Sequence, residues 1–235
     1  MHTVDLGGDE VPVAVHSSGR KSLRLVMRGD QSLEVFVPRR TPLAHALAFV
    51  ASKGKWILAK RAEMAARRYL AYPREFKSGE ALCHLGRELR LAVLLGRGPA
   101  EILGERLLVR AADPADREAV ARAVSRWQRE EAREVFGEVL GRFLPRAGCP
   151  PHKTPSLAVR RMTSRWGSCG ANGRIILNLQ LVQCPLDCVE YVIMHELAHL
   201  TQHNHSPRFY QHLGRLMPDW RRRKAILDGI FIRQD

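Results

Sequence analysis

No stretch of the 235 residues reaches the roughly 18 consecutive apolar positions that a membrane-spanning helix needs, so no such helix is expected. The opening segment, MHTVDLGGDEVPVAV, lacks a basic start followed by a long apolar run, and no secretory leader is expected from it. The five cysteines, Cys83, Cys149, Cys169, Cys184 and Cys188, are odd in number and contain no C-x-x-C pair. Free thiols in a reducing, cytoplasmic setting follow more naturally than a disulfide framework. Cys184 and Cys188 could begin a second metal site, but no second pair of ligands for it is evident. Neither glycine cluster has the spacing of a phosphate loop or a dinucleotide fingerprint. Acidic residues are scarce, 24 against 38 Lys and Arg, for a formal charge of +14. A field of that sign favours acidic partners, DNA or RNA first among them, unless the charge is simply carried on a solvated surface.

What is present divides into two styles. Val11, Val13 and Val15 alternate as in a strand. Leu23–Met27 and Leu33–Val37 read as a hairpin around Arg28-Gly29-Asp30-Gln31. Thr41 and Pro42 suit the N-cap and first position of a helix broken at Lys53-Gly54-Lys55. That helix carries Lys53, Lys55, Lys60, Arg61, Arg67 and Arg68, a basic surface that is either a solvated helical face or a contact for nucleic acid. Strand character returns from Gly79 to Ala111, interrupted by a Gly-Arg-Gly-Pro turn. At Asp113-Pro114 a long helix is expected to start and run to about Phe143. A domain boundary near Ala112 is therefore expected, giving a β-rich domain with one long helix (1–112) and a second domain (113–235). No repeated segment is detectable. A hairpin through Asn172-Gly173 follows, with Arg174–Val182 as its second strand. On that strand Leu177, Leu179 and Leu181 share one face, and Asn178 and Gln180 the other. A monomer is expected.

The informative stretch is VEYVIMHELAHL, residues 189–200. Asp187 can cap this helix, with Glu190 completing a capping box. From Cys188 to Leu200 the helix is apolar nearly all round, and in its second half only His195, Glu196 and His199 are polar. Polar groups buried there need partners. On a helix, His195 and His199 stand one turn apart on one face, a spacing that binds one zinc ion, and Glu196 can polarise a water on it. A third protein ligand is needed. No glutamate occurs after Glu196, which leaves His203, His205, His212 and Asp219. His203 continues the row, but eight residues of helix place it about 12 Å from His195. Asn204-His205-Ser206-Pro207 can break the helix and begin another. His205, in that corner, is preferred, with His203 second.

These residues, with RKSLRLVMRG (20–29), RWGSCGANGRIILNLQLV (165–182), NHSPRFY (204–210) and MPDW (217–220), resemble the YgjP-like metallopeptidases, relatives of the SprT and WLM proteases. The resemblance spans most of the chain and is strongest from Arg165 onward. It implies an α+β, zincin-like domain in which a backing helix and small β-sheet support the H-E-x-x-H helix, preceded by the β-rich N-terminal domain. It implies one zinc ion per chain on His195, His199 and His205, with Glu196 as catalytic base, and peptide or protein substrates. SprT-type relatives suggest substrates bound to nucleic acid; the rival reading is a basic nucleic-acid-associated zinc protein without peptidase activity. The strand around Asn178 could pair with an extended substrate, or simply close the core sheet. Tyr210, where such sequences often have Trp, could stabilise an oxyanion or simply pack. Met217 could floor the metal site or simply be core.

Overall fold

The computed structural model describes residues 2–6, 10–28, 32–65, 68–148, 154–170 and 172–231. Cys149, Pro150 and the Gly29–Gln31 turn lie outside them. The chain forms two compact units, Met1–Arg68 and Tyr69–Ile232.

In the first unit the alternating segments become β1 (His2–Asp5), β2 (Glu10–Ser18), β3 (Arg24–Met27) and β4 (Leu33–Pro38). The order is β1-β2-β4-β3, with β2 and β4 parallel and β3 antiparallel to β4. Val11, Val13, Leu33, Val35 and Val37 point to one face and are buried with Ala46, Val50 and Ile57 of the helices. Those helices are α1 (Leu43–Ser52) and α2 (Gly54–Ala65), separated at Lys53 as expected. Thr41 is not the cap: its hydroxyl donates to the Pro38 carbonyl at 2.8 Å, and Pro42 takes the cap position.

The division falls within β5 (Arg68–Tyr69), and β6 (Ala81–His84), β7 (Arg87–Leu95), β8 (Glu101–Leu103) and β9 (Arg106–Ala111) follow in the second unit. Its sheet runs β6-β7-β9-β8, with β7 parallel to β9 and β8 antiparallel to β9. This is the strand order and sense of the first sheet again, without detectable sequence repetition. The next element, α3 (Arg117–Phe143), starts later than Asp113-Pro114 predicts. Asp113 closes a turn on the Ala115 amide instead, and Asp116 is the cap, accepting from the Ala119 amide at 2.9 Å.

Helix α3 serves two cores. Val120, Val124 and Trp127 pack on Leu82, Leu89, Leu91, Leu107 and Val109 of the sheet. Ala132, Phe136, Val139, Leu140 and Phe143 join the core that holds the H-E-x-x-H helix. The expected boundary near Ala112 thus falls inside one compact unit. The β6–β7 turn reinforces this: Leu85 and Gly86, both left-handed, donate their amides to Val182 and Gln183.

Downstream lie β10 (Leu157–Arg160), β11 (Gly167–Cys169), β12 (Ile175–Asn178), α4 (Leu186–Ala198), α5 (Pro207–Leu216), α6 (Trp220–Asp228) and β13 (Ile230–Phe231). The small sheet has the order β10-β12-β11. The strand expected over 174–182 ends at Asn178, and Leu179–Gln183 forms a 3-10 turn. The cause is the Asn178 side chain. Its Oδ1 accepts from the Gln180 amide at 3.2 Å and the Met162 amide at 3.3 Å. Its Nδ2 donates to the Met162 carbonyl at 2.8 Å and the Arg165 carbonyl at 3.1 Å. Fully buried and fully bonded, Asn178 clamps the loop that delivers β11. Asn178→Ala is expected to lower unfolding stability by about 3 kcal/mol, because it orphans backbone groups in a dry site. Urea denaturation at unchanged m-value checks this; a loss under ~1 kcal/mol would contradict the clamp.

Candidate metal centre

Helix α4 presents His195 and Glu196, and His199 follows as its C-cap. Neither Asp187 nor Glu190 caps it; Pro185 holds that position. Both carboxylates instead bind Arg223 from α6, at 2.8 and 2.5 Å. After His199 the chain leaves the helix. Asn204 is not left-handed; its Oδ1 accepts from the Ser206 amide at 3.3 Å, and this Asx turn makes the corner. Pro207 then starts α5 with Ser206 at its N-cap position.

The corner brings His205 back to the helix. Its Nε2 lies 3.0 Å from that of His195 and 3.2 Å from that of His199, and the latter two are 3.2 Å apart. Three donor atoms on a tetrahedral zinc, with bonds of about 2.0–2.1 Å, would sit about 3.3 Å from one another. The triangle fits one metal ion. Among the described residues this is the one cluster of three side chains able to hold a metal, and neither the Cys184–Cys188 pair nor His203, His212 or Asp219 belongs to it.

The tautomers agree with that role. His199 Nδ1 lies 2.9 Å from the Gln202 carbonyl. A carbonyl only accepts, so Nδ1 carries the proton and Nε2 keeps its lone pair. Burial, then the neighbouring His199 and His205, push the His195 pKa down to about 3. His199 is lowered too, by burial first. Neutral imidazoles are the form that ligates. Phe209, fully buried, lies beneath all three rings, with centroids 4.9, 4.5 and 5.0 Å from His195, His199 and His205. Phe209 is therefore the apolar floor, and Met217 is ordinary core.

Glu196 is 5% exposed, beside β11. Burial raises its pKa to about 7, against the opposing pull of the Arg165 charge and the Cys169 amide. A Cβ on Gly167 would stand 2.6 Å from Glu196 Oε1 and 2.9 Å from Val192 Cγ1. Only glycine lets the strand lie this close to the carboxylate. Gly167→Ala is expected to cost about 1–3 kcal/mol through overpacking and to displace Glu196, with metal content unchanged. Denaturation and metal analysis check this; wild-type stability would refute it.

The triad and Glu196 line a cavity of about 670 Å3, whose walls include Arg165, Trp166, Tyr191, His203 and Lys224. Residues 21–229 match the YgjP-like metallopeptidase domain. The chain belongs to that family. A solved structure, the metallopeptidase zymogen abylysin of Pyrococcus abyssi, is 22% identical to this YgjP-like chain, covering 40% of it and 89% of the abylysin chain, with a TM-score of 0.35. A search of curated proteins returned no match.

Two expected substrate contacts look different in three dimensions. Asn178 is buried in the central strand of its sheet, paired on both sides by β10 and β11, so it has no free edge for a peptide. Tyr210 stacks on Trp220 at 5.2 Å and does not line the cavity. The basic run at residues 221–224 is largely engaged. Arg222 pairs with Asp187 and Asp219, Arg223 with Asp187, Glu190 and Asp219, and Lys224 with Asp228. Arg165, Gly167 and Phe209 are contributors that spacing did not single out. The RWGSC segment was the available signal for the first two. No helix among the described residues is long and apolar enough to cross a membrane.

Proposed function

We propose that this chain is a zinc-dependent peptidase with a zincin arrangement: α3 as backing helix, β10–β12 as the small sheet, and α4 as the metal helix. The observation that carries the reading is the convergence of three imidazole nitrogens beside a buried carboxylate on the wall of an open cavity. His195, His199 and His205 would hold the metal. Zinc there supplies Lewis acidity, polarising a carbonyl and acidifying water. Glu196 takes the proton of the attacking water and passes it to the departing amine, a transfer suited to a carboxyl with a pKa of about 7. Strand β11 is the edge of its sheet, and an extended peptide could add to it, its scissile bond facing Glu196.

The test is direct. Zinc-loaded protein is incubated with an unfolded protein substrate, with and without a chelator. Cleavage that stops with the chelator and returns with added zinc supports the reading. A zinc-loaded chain that cuts nothing across a broad peptide screen would refute it. Proteins bound to nucleic acid are a narrower proposal, resting on the +14 charge. Salt-sensitive DNA binding without cleavage would favour a binding protein instead.

A further inference from the structure

A second cavity, of about 360 Å3, lies between the β7–β8 turn and the first turns of α3. It shares no residue with the metal cavity. Arg97, Arg110, Arg122 and Arg126 line it; every other lining residue is glycine or alanine, and no carboxylate is among them. The small residues are what leave the space open. Gly96 and Gly98 have φ of +141° and +145°, conformations that glycine adopts and other residues rarely do. A Cβ on Gly98 would meet Arg110 Cδ at 3.4 Å, so the turn lies bare against the arginine stem.

The four guanidinium groups fall into two pairs. Arg110 is oriented by the Pro99 carbonyl at 3.1 Å and Glu101 at 2.8 Å. Arg122 is oriented by Glu118 at 3.4 Å and Asp116 at 3.9 Å. Each of those retains further N–H donors, since a guanidinium has five. Arg97 and Arg126 form no ion pair or side-chain hydrogen bond with another described residue. Arg122 and Arg126 also stand four apart on α3, a like-charge spacing that is unfavourable on a bare helix. An anion in the cavity would offset that repulsion and occupy the remaining donors.

We propose that this cavity binds phosphate groups. Guanidinium forks pair with phosphate oxygens two at a time. The two unengaged forks of Arg97 and Arg126, with the spare donors of Arg110 and Arg122, converge on one space and suit a multiply charged tetrahedral anion better than a planar carboxylate. The volume is within the range of small-ligand sites. The phosphate can come from a small phosphorylated molecule or from a nucleic-acid backbone, and the two sources separate by experiment. This site stands independently of the peptidase reading.

Calorimetric titration of the full chain at low ionic strength, with inorganic pyrophosphate and separately with a single-stranded oligonucleotide, decides the matter. Binding of either probe is expected, weakened about tenfold or more in Arg97→Ala/Arg126→Ala. Lysine at the two positions should restore only part of it. Loss of pyrophosphate binding assigns a small ligand; loss of oligonucleotide binding alone assigns a nucleic-acid backbone. An unaltered urea midpoint shows that the variant is folded, and if the double variant fails to fold, Arg97→Ala in the exposed turn serves. No binding of either probe by the wild type, or unchanged affinity in the variants, overturns the proposal.

Discussion

Zinc affinity is expected to fall by about two to three orders of magnitude in His205→Ala and to stay within about twofold in His203→Ala. The magnitude is one ligand's share of the roughly 10–16 kcal/mol that a four-ligand zinc site contributes. The contrast is the discriminating part. Both histidines line the same cavity, and both follow the metal helix within six residues of His199. Only His205 places a ring nitrogen 3.0 Å from His195 Nε2. Its position depends on the Asx turn at Asn204 and on Phe209 beneath the rings. Equilibrium metal titration against a chromophoric chelator measures both variants. Equal retention of zinc would remove His205 from the ligand set.

The two helical histidines and Glu196 were readable because their relation is local: four residues of helix set the geometry. His205 was readable for a related reason, since a straight helix cannot return His203 to His195 and the chain breaks at Asn204-His205-Ser206-Pro207. What the linear pattern could not show depends on residues distant in sequence. Gly167 matters because a carboxylate 29 positions later lies against it. Asn178 looked like one of a strand's outward-facing polar residues, yet its partners are Met162, Arg165 and Gln180. The run at 221–224 is basic in the linear chain, yet Asp187 and Glu190, which neutralise Arg223, lie over thirty residues away. The break near Ala112 marks a change from strands to helix, but β9 buries Leu107 and Val109 against α3. A change of secondary structure is therefore not a domain boundary when the two elements share a core. The matching order of the two four-stranded sheets is not legible in the sequence, because alternation alone suffices to build a strand and many sequences alternate.

Glu196→Gln is expected to keep zinc and lower peptide hydrolysis by about 100- to 10,000-fold, the range attributed to a positioned general acid–base. The substitution preserves shape, and the amide oxygen can still accept from the Cys169 amide that serves the carboxylate. The ability to take a proton is lost. Glu196 is 5% exposed, so replacing a buried carboxyl by a neutral amide should leave the urea midpoint unchanged or slightly higher. That stability readout separates a chemical defect from a folding defect. Zinc content measured on the same preparation separates it from loss of the metal. Three outcomes together define a general base: full zinc, unreduced stability and a collapsed kcat. A zinc-loaded Gln variant cleaving within tenfold of wild type would assign the proton transfer elsewhere. A variant that lost zinc as well would show that Glu196 acts through the metal site's structure, and the steric fit of Gly167 against it would then be the feature to re-examine.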